Sequence, residues 1–153
     1  MTAVAARSTG AGIARPSLVF DENAARRALD AIAARGTGKS PAGRGEVVKV
    51  LQDLLHAGRQ EAERRLTADG KGRQCAVTLS YLQDAIIRQL HGFAERHAGE
   101  AGARSASESL SVVAVGGYGR GTLAPGSDID LLFVLPARQT PSGEQVVEHM
   151  LYI

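Results

Sequence analysis

"GGYGRGTLAPGSDIDLLFVLP", residues 116–136, sets four glycines in its first six positions and two aspartates, Asp128 and Asp130, against an apolar run. Glycine loses more backbone freedom on ordering than any other residue. Carboxylates beside a hydrophobic strand are costly to bury. A chain that accepts both in one short stretch is giving up stability for chemistry. The flanks supply a frame. "LSVVAV", 110–115, is β-branched and short, and reads as a buried strand. "IDLLFVL", 129–135, reads as a second strand that Pro136 ends, so the glycines join two neighbouring strands.

Side chains alternate along a strand, so Asp128 and Asp130 are expected on one face with Ile129 on the other. Two carboxylates held that close repel unless a cation lies between them. Hard oxygen donors in this arrangement suit Mg²⁺, which takes one or two carboxylates together with substrate phosphates. Gly116 and Gly117 carry no Cβ, so backbone N–H groups there can approach a triphosphate. Ser127 offers a hydroxyl to the same phosphates, and Arg120 offers either a charge for them or a surface salt bridge. The plain alternative is a hairpin loop with a solvated Asp-Ser turn. Strand, glycine pair, Ser-Asp-Ile-Asp and a second strand in sequence favour the site.

Other templates fit poorly. "GTGKS", 36–40, lacks the P-loop glycine, because Ala33 stands five positions before Gly38, and no strand precedes it. A dinucleotide fingerprint starting at Gly117 would need glycine where Thr122 stands. His56, His91, His97 and His149 show no metalloprotease spacing and read as surface or helix-face residues.

Outward from the motif the chain turns helical. "DENAARRALDAIAAR" opens on Asp21 as N-cap and places Ala25, Ala28, Leu29 and Ile32 on one face. "GTGKSPAGRG", 36–45, reads as a loop. A second helix is expected over about 45–68, with Val47, Leu51, Leu54, Leu55, Ala62 and Leu66 as its stripe, stopped by Gly70. A third is expected over about 75–97, burying Leu79, Leu82, Ile86, Leu90 and Phe93. "AGEAGARSAS" reads as a linker. "PSGEQVVEHMLYI" starts another helix, with Ser142 and Gln145 spaced as a capping box, and the chain stops inside its apolar pattern.

Composition bounds the partners. The 153 residues include 44% hydrophobic and 22% charged side chains, ordinary for a globular domain. A net charge of +2, 4% aromatics and no Trp argue against a nucleic-acid partner. No apolar stretch reaches the roughly 18 residues of a membrane span. Lone Cys75 permits no internal disulfide, reads as a small buried hydrophobe and fits a reducing cytoplasm. The Ala- and Arg-rich start reads as a disordered leader over 1–16, followed by a helical region over 17–98 and an α/β unit over 99–153.

The stretch "VGGYGRGTLAPGSDIDLLFVLP" resembles the nucleotidyltransferase superfamily that includes DNA polymerase β, and more closely the bacterial PII uridylyltransferase/uridylyl-removing enzymes. The helices and "EHMLYI" also look like the N-terminal segment of that family. The resemblance implies an α/β (α+β) fold, with a helical lead-in before an incomplete mixed nucleotidyltransferase sheet. It implies UMP transfer from UTP to a tyrosine of the PII signalling protein with Mg²⁺. Gly116, Gly117 and Ser127 match triphosphate-binding positions, and Asp128 and Asp130 match metal ligands. The family's HD and ACT domains and the superfamily's third carboxylate have no counterpart here. Glu144 and Glu148, the remaining acids, fall on a predicted helix. The chain alone is therefore expected to be inactive, as a truncated nucleotidyltransferase. The alternatives are another member of the superfamily, transferring adenylyl groups to a protein or small molecule, or a non-catalytic helical interaction module with a vestigial nucleotide site.

Overall fold

The computed structural model describes residues 12–35, 41–97, 111–134 and 141–151. A 3-10 turn, Pro16–Leu18, leads into α1 (Glu22–Ala34), α2 (Pro41–Asp69) and α3 (Gly72–His97). Then come β1 (Ser111–Val115), the single turn α4 (Gly116–Gly119), β2 (Asp130–Val134) and α5 (Pro141–Leu151). The fold class is α/β as expected, mostly helical, with a small sheet.

Local chemistry sets the helix ends. The Asp21 side chain accepts from the Ala24 N–H at 2.9 Å, satisfying one of the donors that a helix start leaves open. Gly70, at φ +67°, donates to Leu66 O at 2.8 Å and closes α2 in the left-handed conformation that glycine takes without strain. The chain then re-enters helix at Gly72, so α2 and α3 form an antiparallel hairpin.

Two apolar clusters meet on α3. One joins Ile13, Val19, Phe20, Leu29, Ile32, Val47 and Leu51 to Leu82, Ile86 and Phe93. The other joins Ala62, Cys75, Leu79 and Ile87 to Val112, Tyr118, Leu123, Val146 and Met150. Leu90 packs against both. Burying one such Leu or Phe side chain contributes about 1.5–3 kcal/mol. The crossing of α2 and α3 is close: a Cβ on Gly58 would strike the methyls of Leu82 and lie 2.7 Å from Val19 O.

The expected stripe on α3 holds at Leu79, Leu82, Ile86 and Phe93, but the burial is not one-sided. From Thr78 to Ile87 every residue is buried except the half-buried Asp84. The reason is position: α1 and α2 cover one side of α3, while the second cluster covers the other. His91, expected on a helix face or surface, is also buried. Burial raises the Cys75 thiol pKa, as befits a small core residue.

Several boundaries differ from expectation. Residues 41–45 of the expected loop form the first turn of α2, and "GTGKS" lies outside the described residues. So does the linker "AGEAGARSAS". α5 starts at Pro141, which puts Ser142 inside the first turn rather than ahead of it as the cap. Proline suits a first helical position because its missing N–H would be unpaired there anyway. The expected leader lies outside the described residues as far as residue 11, while its Ile13 is buried in the first cluster.

β1 and β2 pair antiparallel, with Val113 opposite Leu132 and Val115 opposite Asp130. Val112 is buried, Leu131 and Phe133 pack against the second cluster, and Leu132 and Val134 face outward.

Candidate nucleotide site

The register fixes the site. Val115, the last residue of β1, stands opposite Asp130, the first of β2, so the next residue after β1 lies beside that carboxylate. That residue is Gly116, with φ +61°, and an added Cβ would sit 2.5 Å from Asp130 Oδ2. Both the backbone conformation and the space disfavour a side chain here. The sequence leads one to expect Gly116 beside Asp128; the carboxylate it meets is instead that of Asp130, because Val115 stands opposite Asp130 in the register.

After Gly116 the chain makes the single turn α4 rather than an open loop. A Cβ on Gly119 would lie 2.5 Å from Ala114 O, so the turn folds back directly onto the strand it leaves. Gly121, at φ +72°, donates to Tyr118 O at 2.9 Å and ends the turn. Arg120 is exposed, with Nη2 3.7 Å from where a Gly117 Cβ would be. Among the described residues it makes no salt bridge.

"APGS", 124–127, is a β-turn in which Ser127 N donates to Ala124 O at 3.1 Å. Pro125 followed by Gly126 at φ +78° is the residue order of a type II turn. This turn delivers Ser127, Asp128 and Ile129 in exposed positions before β2. Asp128 thus lies two residues ahead of the strand, and the alternation argument applies in the sheet only from Asp130 onward. Both carboxylates are exposed, and neither has an ion-pair partner among the described residues. As a donor set, two uncompensated hard oxygen groups, one resting on a glycine with no Cβ, fit a magnesium ion. No group of three His, Cys, Asp or Glu residues gathers as a metal cage among the described residues. Glu144 and Glu148 are exposed on α5.

Ser127 also lines a groove of about 440 Å³ between α2, α3 and the loop. Leu55, Ala62, Leu66, Leu79 and Leu123 give it an apolar floor, with Arg59 and Glu63 among its lining residues.

Two contacts escaped the sequence reading. Tyr118 is buried, and its hydroxyl donates to Asp84 Oδ1 of α3 at 2.6 Å. Burial raises the Asp84 pKa, opposed by this hydrogen bond and by Arg88. Burial likewise raises that of Tyr118, and the Asp84 acceptor adds to it. One turn earlier on α3, Ser80 Oγ accepts from the Leu123 N–H at 2.9 Å, in a buried contact. The available signals were Tyr118, a large side chain inside a run of glycines, and the polar Ser80, Gln83 and Asp84 amid apolar neighbours on α3.

Residues 97–150 match the nucleotidyltransferase domain family. Over 133 residues, 87% of its length, the chain is 46% identical to a bifunctional uridylyltransferase/uridylyl-removing enzyme of a Bradyrhizobium strain, of which it covers 14%. It is 46% identical, with the same coverage, to the protein of that name from Bradyrhizobium diazoefficiens. A third, from another Bradyrhizobium strain, is 45% identical over 133 residues. The chain spans about a seventh of the length of these relatives, 14% in each case. No solved structure matches it.

Proposed function

On this kinship with the bifunctional uridylyltransferase/uridylyl-removing enzymes, we propose that the chain carries the glycine loop and first aspartate pair of a uridylyl-transfer site. The reaction is UTP plus PII protein giving uridylyl-PII plus diphosphate. The observation that carries this reading is Gly116 lying against Asp130, with Val115 and Asp130 in register. That arrangement sets phosphate-accessible backbone beside a metal-competent carboxylate. In this reading residues 17–98 make up the helical region and residues 99–153 belong to the nucleotidyltransferase domain. A cytoplasmic setting agrees with the single, buried thiol.

In this site Asp128 and Asp130 would hold magnesium. The ion, when bound, neutralises the triphosphate and the departing diphosphate. Gly116 and Gly117 leave room for phosphate oxygens against the backbone, and the Ser127 hydroxyl donates to them. Arg120, free of salt bridges among the described residues, adds a positive charge at the same loop. Transfer of this kind depends mainly on positioning and charge neutralisation. Within this chain the aspartates supply two carboxylates, so nucleotide binding rather than turnover is the property to test.

Asp128→Asn and Asp130→Asn are each expected to abolish Mg²⁺-dependent UTP binding measured by calorimetry, with little change in thermal unfolding. Removing one charge relieves repulsion within the pair but deletes a ligand. Unchanged binding in both variants refutes the assignment. A wild-type chain that binds no UTP with Mg²⁺ present supports the vestigial-site alternative, and preferential binding of ATP supports an adenylyl-transferring one.

A further inference from the structure

We propose that Asp84 and Ser80 of α3, with Tyr118, are positioning residues that hold the glycine loop in its nucleotide-binding shape. The proposal rests on the uridylyl-transfer reading of that loop. Between Gly116 and Gly121 four of six residues are glycine, so the segment has little side-chain substance with which to fix itself. Ordering it carries a high backbone entropy cost. Tyr118 is the one large apolar side chain in that run, and it is 4% exposed. Its hydroxyl ends on the half-buried Asp84 at 2.6 Å. The second anchor is set five residues further along the loop. There the Leu123 N–H meets Ser80 Oγ at 2.9 Å, while the Ser80 hydroxyl itself donates to Ala76 O at 3.0 Å.

Ser80 and Asp84 are four residues apart, one above the other on the same face of α3. Their spacing is therefore as rigid as the helix. The two anchors bracket Gly119, Arg120, Gly121 and Thr122, and the first stands one residue from Gly117. None of the three anchoring side chains needs to touch the nucleotide. Each acts through the loop backbone. A hydrogen bond to a charged acceptor away from water is also stronger than one between neutral groups, which favours a carboxylate at residue 84.

The test is calorimetry of UTP with Mg²⁺ against the full 153-residue chain, well below its unfolding temperature, joined to amide hydrogen exchange. Tyr118→Phe and Asp84→Ala are expected to weaken UTP binding by about tenfold each, since either loses a charge-assisted, half-buried hydrogen bond. The double variant is expected to be no weaker than about the worse single one, because both remove the same bond. Asp84→Asn keeps an oxygen acceptor for the tyrosine hydroxyl and is expected to stay within about threefold of wild type. In Tyr118→Phe and Ser80→Ala, amides of 116–123 should exchange faster while those of α1 keep their protection. Global destabilisation would speed exchange in α1 as well, so this local pattern joined to a loss of UTP affinity assigns the effect to the shape of the loop. Wild-type affinity in Tyr118→Phe, Asp84→Ala and Ser80→Ala, with Asp128→Asn still abolishing binding, overturns this proposal and leaves the uridylyl-transfer reading standing. A wild-type chain that does not bind overturns both. Tyr118→Phe decides the matter if Asp84→Ala fails to fold.

Discussion

The two halves of the molecule use glycine for opposite ends. In the helical half, Gly58 stands where α2 crosses α3 and gives its space to Leu82 and Val19. In the loop half, Gly116 gives its space to the carboxylate of Asp130, a group that no folded core requires. The first kind of glycine lets helices pack closer. The second lets an exposed carboxylate rest against the backbone, where the proposed nucleotide site lies. Both sides of α3 carry a buried cluster, but only the loop side carries the proposed chemistry, and substitutions should separate the two.

The sharpest break in that comparison is Phe93→Ala. Phe93 is fully buried in the first cluster, and its truncation should cost about 3–5 kcal/mol in urea unfolding. Next comes Gly58→Ala, where the new methyl must displace backbone at Val19 O, 2.7 Å away. We expect a loss of about 1–3 kcal/mol, despite the better helix propensity of alanine. Gly45, also in α2 but with nothing within 4 Å of an added Cβ, is the control. Gly45→Ala should stabilise by up to about 1 kcal/mol. If Gly58→Ala is equally stabilising, the close crossing is not what the structure makes it.

Gly116→Ala should invert the pattern. Holding alanine at φ +61° costs about 1–2 kcal/mol, while Asp130 must swing away from the new methyl. UTP binding with Mg²⁺ should therefore fall far more than stability does. A variant that keeps its affinity would separate Asp130 from the phosphate site.

How much of this was legible follows from which forces act locally. Asp21 as a cap, Gly70 as a stop and the apolar stripes on α1 to α3 are near-neighbour effects, and the sequence carries them openly. The strand pair was legible because a β-branched run and an apolar run flank the glycines, and its register then set Gly116 against Asp130. Asp84 and Ser80 were not legible, because their partners lie 34 and 43 residues away. Nothing in a helical period says that a second cluster will cover the far face of α3. The capping box at Ser142 failed for a local reason: Pro141 competes for the same helix start.

The smallest expected effect lies at Glu61 on α2. Hydrogen bonds from Arg64, at 2.7 and 2.9 Å, and from Arg65, at 2.8 Å, hold its carboxyl at about 2, below the ordinary 4.5. A lowered folded-state pKa means the stabilisation is full above about 4.5 and is lost as pH falls through about 2. Solvent around these arginines keeps it modest. The thermal midpoints of wild type and Glu61→Gln should therefore converge as pH drops across that window. A constant gap would show that the arginines stabilise α2 by some means other than this charge.

That α3 anchors the loop at two points also makes the loop a poor traveller. A hairpin cut out as residues 111–134 and grafted onto another scaffold would carry its glycines, its serine and both aspartates, but not Ser80 or Asp84. Tyr118 would then arrive as an exposed aromatic with no carboxylate to meet, and the Leu123 amide as a donor with no hydroxyl. Whatever recombination or engineering moves this motif must move the middle of α3 with it. The inheritable unit is therefore the hairpin together with a stretch of helix that precedes it by a quarter of the chain.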